Sequence, residues 1–295
     1  MSEIGGRRFA LLTYEDRGNL GDEIQSLAAR RFLPRVDDWV DRELLDGFRS
    51  ESGVPAQIIL NGWFCIRPQN WPPSPDLRPL LVSFHLSPGA PQKTLLSEPC
   101  LSYLKKFGPV GARDLPTLRA LQAANVPSWF SGCLTLTLER PNVARDDGLV
   151  ILNDVPPQFV RAVAGRTRKR IELTTHLGDP GVSQSTRFEM AAGLLEKYAS
   201  ASCVITSRLH CALPCLAMGT PVLLIDLFPD QWRFEGLNSL LRHVDPKFFL
   251  ENLDCFDTDN PTPNAELHIP YRLDLIERVT RFLSAPIEQP MPAEY

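Results

Sequence analysis

At 295 residues the chain is long for one hydrophobic core and comfortable for two. Its 43% apolar and 22% charged residues are ordinary for a globular protein, and a formal net charge of -4 gives no reason to expect nucleic acid or an anionic membrane surface as partner. Met1 to Arg8 is polar, no apolar run is long enough for a signal core or a membrane span, and seven cysteines without framework spacing suit free thiols in a reducing compartment, so a cytoplasmic location is expected.

Taken in chain order, Phe9 to Tyr14 reads as a short buried strand. The turn Arg17-Gly18-Asn19-Leu20-Gly21-Asp22 leads into a helix over Glu23 to Phe32, which Pro34 ends. Gln57 to Leu60 is a second strand, running into Asn61-Gly62-Trp63. The proline-dense stretch from Arg67 to Pro79 reads as a loop and a candidate lid. Leu80 to Phe84 is a third strand with His85 at its end, Thr94 to Phe107 a helix, and Pro109 to Ala112 a strand ending in Arg113-Asp114. Leu115 to Ala124 is a helix with Pro116 in its first turn, and Ser128 to Leu138 carries another strand around Gly132.

After the polar segment from Arg140 to Asp147 the pattern restarts. Strands are expected at Gly148 to Leu152, Arg170 to Thr175, Cys203 to Thr206 and Val222 to Asp226. Helices are expected at Phe159 to Ala164, Arg187 to Tyr198 and Arg208 to Met218, the last stopped by Gly219. Tyr271 to Leu283 is a terminal helix with a proline-rich tail. Strands alternating with helices imply parallel sheets and right-handed crossovers. The expected organisation is an N-terminal Rossmann-like domain over 1–144, a second over 145–270, and a terminal helix and tail over 271–295 that packs back on the first.

Ligands of open parallel sheets bind at the carboxyl ends of the strands, so the polar turns there are the candidates. Thr206-Ser207-Arg208-Leu209-His210 is the sharpest. Ser207 is placed to cap the helix, whose free N–H groups and positive dipole end suit an anion. Arg208 adds a planar, permanent cation for carboxylate or phosphate, and His210 in the first turn is able to exchange a proton near neutral pH. In the Gly18 to Asp22 turn, Asp22 and Glu23 disfavour a phosphate; either they complement the helix dipole, or Asp22 binds sugar hydroxyls or acts as a base. Arg113, His85 and His176 each follow a strand and are candidate substrate contacts. Trp63 and Trp71 either stack on a sugar or close a core, the core being favoured. Cys211 and Cys215, beside His210, are read as small buried apolar residues of a helix rather than metal ligands.

Three stretches together resemble the polysaccharide pyruvyl transferase family. They are Gly18-Asn19-Leu20-Gly21-Asp22, Gly111-Ala112-Arg113-Asp114, and the run from Ser207-Arg208-Leu209-His210 to Ala217-Met218-Gly219-Thr220-Pro221-Val222, which is the most specific. The resemblance implies an α/β fold of two Rossmann-like domains facing across a cleft, similar to GT-B glycosyltransferases, with parallel sheets. It implies transfer of pyruvate from phosphoenolpyruvate to sugar hydroxyls as a ketal, in cell-surface glycan or exopolysaccharide biosynthesis. Carried over by position, Arg208 holds phosphoenolpyruvate and His210 is the acid. The ketal chemistry then needs a base for the hydroxyl proton, with Asp22 or His176 as the candidate. Asn19, Ser207, Arg113 and His85 join as substrate contacts. The partners are phosphoenolpyruvate and a sugar or lipid-linked saccharide; no cofactor, metal or nucleic acid is expected, and an oligomer is open. The Ser83-Phe84-His85-Leu86-Ser87-Pro88-Gly89 turn matches nothing in the family pattern. Two other function classes stay open: a nucleotide-sugar glycosyltransferase on the same architecture, and a non-catalytic sugar-binding relative.

Overall fold

The structure, a computed structural model, describes residues 6–15, 18–228 and 231–285. The chain divides into two compact units. The first comprises Met1–Glu15, Gln25–Leu134 and Tyr271–Tyr295, and the second Asp16–Ile24 and Thr135–Pro270. The division at Leu134 precedes the polar segment chosen from sequence, and the Gly18 to Asp22 turn groups with the second unit rather than with its sequence neighbours. Both units are α/β, with parallel strands throughout their sheets.

In the first unit, β1 (Arg8–Thr13), β2 (Asp38–Asp41), β3 (Ala56–Leu60) and β4 (Leu77–Leu81) form a sheet of order β2-β1-β3-β4. Beyond β4 the chain goes on pairing. Phe84 donates its N–H to Gly111 O and its carbonyl accepts from Arg113 N, both at 2.9 Å. This joins the sheet to β5 (Val110–Ala112) and its neighbour β6 (Ser128–Phe130). Strand β1 is a run of apolar residues buried along its length after Arg8, as expected of a strand covered on both faces.

Helix α1 (Leu20–Arg30) follows β1, and α2 (Ala90–Leu95), α3 (Glu98–Lys106) and α4 (Leu115–Ala123) follow β4 and β5. The single helix expected over Thr94 to Phe107 is two, because Pro99 cannot continue a helix and instead opens a new one after Ser97. The proposed lid between Arg67 and Pro79 is pinned to the core. Trp71 is buried, with ring centroids 5.1 Å from Phe64, 5.4 Å from Phe84 and 5.9 Å from Tyr103. The strand expected around Gly132 stops at Phe130 and gives way to a tight helical turn over Leu134–Thr137.

In the second unit, β7 (Asp146–Asn153), β8 (Arg170–Thr174), β9 (Ala201–Thr206), β10 (Val222–Ile225) and β11 (His243–Val244) form a sheet of order β11-β10-β9-β7-β8. Helices α5 (Pro157–Ala164), α6 (Gln184–Ser200) and α7 (Leu209–Met218) are its crossovers, with α8 (Pro246–Glu251) after β11. The strand order reverses between β7 and β9. In doubly wound sheets that is the crevice in which ligands sit, at the carboxyl ends of the strands. Helix α7 is apolar nearly all round and buried at Leu209, Cys211, Ala212, Leu213, Pro214, Cys215, Leu216 and Met218. Gly219 ends it in the left-handed conformation at φ 73°, which an L side chain rarely adopts.

The terminal helix α9 (Ile269–Ser284) packs within the first unit. Trp129 Nε1 donates to Asp274 at 3.1 Å, and Gln57 Nε2 donates to the Phe282 carbonyl at 3.0 Å. The proline-rich tail lies outside the described residues.

Candidate active site

The second unit gathers its polar residues at the strand-order reversal. Strands β7 and β9 end side by side, with Asn153 opposite Thr206. Thr206 Oγ1 donates to Asn153 Oδ1 at 3.0 Å and accepts from Arg208 N at 2.9 Å, which fixes the turn into α7. Ser207 does not cap α7. Its hydroxyl donates to the Asp154 carbonyl at 2.6 Å, and Arg208 occupies the capping position without a side-chain cap. The first turn's N–H groups are therefore not taken by a serine, which suits a helix end meant for an anion.

Asp154 ties the cluster together. It sits in the left-handed region at φ 49° and its carboxylate takes three donors. They are Thr175 Oγ1 at 2.5 Å, His176 N at 2.9 Å and Arg208 Nε at 2.9 Å. Burial alone works against ionisation, but these donors outweigh it and hold the carboxyl below its ordinary value. Arg208 is thus gripped by Nε on one edge, with its guanidinium 5.3 Å from the Phe228 ring centroid. Its two outer nitrogens make no hydrogen bond among the described residues.

The Gly18 to Asp22 turn docks on the chain beyond β8. Leu20 N donates to His176 O at 2.8 Å, and Gly178 N to Gly18 O at 2.7 Å. Gly18 is obligatory here, because a Cβ on it meets the Gly178 carbonyl oxygen at 2.6 Å. Gly18→Ala is expected to cost about 1–3 kcal/mol, read as a lower urea midpoint. An unchanged midpoint would mean the turn is not docked as described.

Gly21 is the focus of the site. A Cβ placed on it lies 3.2 Å from His176 Nδ1, 3.3 Å from His210 Nδ1 and 3.2 Å from Asn19 Oδ1. The Nδ1 atoms of two imidazoles thus lie close to one point beside Gly21. Asn19 Oδ1 also accepts from Gly21 N at 3.3 Å, and Asp22 is buried one residue further on. Asn19, Asp22, His176, Ser207, Arg208 and His210 are therefore all in the second unit, whereas Arg113 and His85 are in the first.

Sequence reading missed Asp154 and the pair Glu23–Arg187. Asp154 carried the same signal as Arg208, a polar residue just past an apolar parallel strand. Glu23 and Arg187 are both buried and joined at 3.0 Å across residues far apart in sequence, which no local pattern announces.

Glu23 and His176 link stability to pH in opposite directions. Burial pushes Glu23 up from 4.5 to about 7, only partly offset by its backbone hydrogen bond and Arg187, with Asp22 adding to the rise. Burial drives His176 from 6.5 down to about 4, opposed by Asp154 and assisted by Arg208. Glu23 is easier to protonate in the fold than out of it, so its contribution is full below 4.5 and is lost as pH rises to about 7. The His176 contribution is full above 6.5 and is lost as pH falls to about 4. Relative to the unaltered chain, Glu23→Gln is expected to gain stability as pH rises through the first window. His176→Gln is expected to gain as pH falls through the second. Denaturant midpoints against pH check both signs, and parallel curves for all three chains would refute the linkage.

The model of the polysaccharide pyruvyl transferase family matches residues 19–227, from the Asn19 turn through β10. The chain belongs to the polysaccharide pyruvyl transferase family. Its matched stretch contains every candidate residue named above. No curated protein matches it. A solved structure of a functionally uncharacterised protein from Klebsiella pneumoniae subsp. pneumoniae NTUH-K2044 is similar at 12% identity with a TM-score of 0.45, covering 78% of this family member and 87% of that chain. Among the described residues, no helix is long and apolar enough to cross a membrane.

Proposed function

We propose that the chain moves the pyruvyl unit of phosphoenolpyruvate onto two hydroxyls of a sugar or lipid-linked saccharide, as a ketal in a cell-surface glycan. The observation that carries this reading is the approach of two imidazole Nδ1 atoms to Gly21, one of them from the first turn of α7, the helix that the anchored Arg208 precedes. Phosphoenolpyruvate offers a carboxylate and a phosphate, and the outer edge of Arg208 with the α7 N–H groups suits such an anion. Ketal formation needs a proton on the methylene carbon while a sugar hydroxyl attacks the adjacent carbon. His210 supplies the first proton. His176 stays neutral down to about pH 4, and with its proton on Nε2 toward the Tyr198 hydroxyl at 3.0 Å its Nδ1 is the acceptor for the hydroxyl proton. Asp22 is the other candidate for that base. The second hydroxyl then displaces phosphate.

Phosphoenolpyruvate is expected to raise the melting point where nucleotide sugars do not, by about 2.7 kcal/mol of stabilisation at 100 times its dissociation constant. Inorganic phosphate should be released only when a sugar acceptor is added. Stabilisation by nucleotide sugars alone would favour a glycosyltransferase. Arg208→Lys keeps the charge and loses the planar fork, so phosphoenolpyruvate affinity should fall while the melting point changes little. Unchanged kinetics and melting point together would remove Arg208 from the site.

A further inference from the structure

The turn from Ser83 to Gly89 contributes to a hydrogen-bonded chain of side chains in the first unit. Three adjacent parallel segments end there, paired by bridges between Trp63 and His85 and between Phe84 and Ala112. Asp114 is fully buried and caps α4, accepting from Thr117 N at 3.0 Å. Its other oxygen lies 2.5 Å from His85 Nδ1, with Arg113 Nε at 3.5 Å. His85 Nε2 lies 3.4 Å from Ser87 Oγ, and Trp63 Nε1 donates to that same Oγ at 2.7 Å.

One arrangement of the donors and acceptors suits a nucleophilic serine. Burial disfavours the Asp114 charge, but His85, Arg113 and Thr117 outweigh it, so the carboxyl lies below its ordinary value and is an acceptor. His85 then carries its proton on Nδ1 and presents a bare Nε2. Trp63 N–H occupies a lone pair of Ser87 Oγ, which leaves the serine O–H to point at Nε2. Asp114 is buried and His85 nearly so, while Ser87 is half-buried and Trp63 is exposed. The reactive end of the chain therefore faces solvent at the carboxyl edge of the sheet.

We infer that Ser87, His85 and Asp114 form a nucleophilic serine relay, and that this unit cleaves an acyl ester of a small carboxylic acid carried on a hydroxylated ligand. This activity goes beyond pyruvyl transfer and does not depend on it. Ser87 Oγ bonds to the acyl carbon as its proton passes to His85 Nε2. The ester C–O bond breaks and the leaving alcohol takes that proton. Water then attacks the acyl carbon, giving a proton to Nε2, and Ser87 leaves with it, so that ester and water become acid and alcohol. Trp63 N–H, bonded to Ser87 Oγ, holds that oxygen beside His85 Nε2. The exposed Trp63 ring gives a sugar-like alcohol a face to stack on.

The test uses the whole chain and a fluorophosphonate probe, followed by intact mass and peptide mapping. The expected result is one phosphonyl group on Ser87, none on that peptide in Ser87→Ala, and labelling slowed roughly 10²–10⁴-fold in His85→Gln. Asp114→Asn loses a buried charge and is therefore a supporting variant only. A merely structural His85–Asp114 pair moves melting points and leaves labelling of Ser87 alone. Failure of Ser87 to label under conditions that saturate a known serine hydrolase would overturn the inference. So would labelling as fast in a folded His85→Gln chain.

Discussion

His210→Gln is expected to bind phosphoenolpyruvate nearly normally and to turn over at least about a hundredfold more slowly. His210 sits in the first turn of α7 with Nδ1 directed at Gly21, two residues after an arginine whose free edge suits the substrate anion. Glutamine keeps a polar group of similar reach at that point but has no proton to give near neutral pH. Binding through Arg208 and the helix N–H groups is left in place, so the loss falls on kcat. If His210 only packs, the substitution lowers the melting point and keeps turnover per folded molecule. Kcat, phosphoenolpyruvate affinity and melting point on the single variant separate the outcomes, and a near-normal kcat would take His210 out of the mechanism.

The parts of the fold that local pattern determines were readable in advance. The apolar runs at Ile58 and Val150 are strands because they are covered on both faces, and the helix after Thr206 stops where Gly219 permits a left-handed residue. The parts that failed depend on neighbours. Asp38-Trp39-Val40-Asp41 has no apolar run and becomes strand β2 only through its parallel register with Ala10 to Thr13. Trp71 turned a proline-rich loop into core because Phe64, Phe84 and Tyr103 surround it. In the site, the rule that ligands gather beyond parallel strands pointed to Arg208, His176 and His210, and in the structure His176 and His210 approach Gly21 while Arg208 pairs with Asp154. It overlooked Asp154, which obeys the same rule, because a lone aspartate before Val155-Pro156 also reads as an ordinary turn residue. The convergence on Gly21 needed coordinates, since it joins residues from the starts of α1 and α7 and the end of β8.

Asp154 is the position where substitution should most damage the second unit, and the two obvious replacements should differ. Asp154→Ala removes the acceptor for His176 N and Thr175 Oγ1, strands Arg208 Nε, and leaves alanine at φ 49°. A non-glycine residue without a polar side chain pays roughly 1–2 kcal/mol in that region, and an orphaned buried donor roughly 1–3 kcal/mol. A loss of at least about 3 kcal/mol is expected, together with loss of the Arg208 orientation. Asp154→Asn tolerates the left-handed conformation, and its amide oxygen still accepts from His176 N. What it gives up is the charge opposite Arg208, a pair whose arginine side chain is 28% exposed. Solvent screens such a pair, so the asparagine variant should lose only about 1 kcal/mol. Urea midpoints of the two variants decide the matter. A large loss for alanine with a small one for asparagine shows that backbone conformation and hydrogen bonding hold this turn. Equal losses would show that the ion pair dominates and that the hydrogen-bond account of Asp154 is wrong.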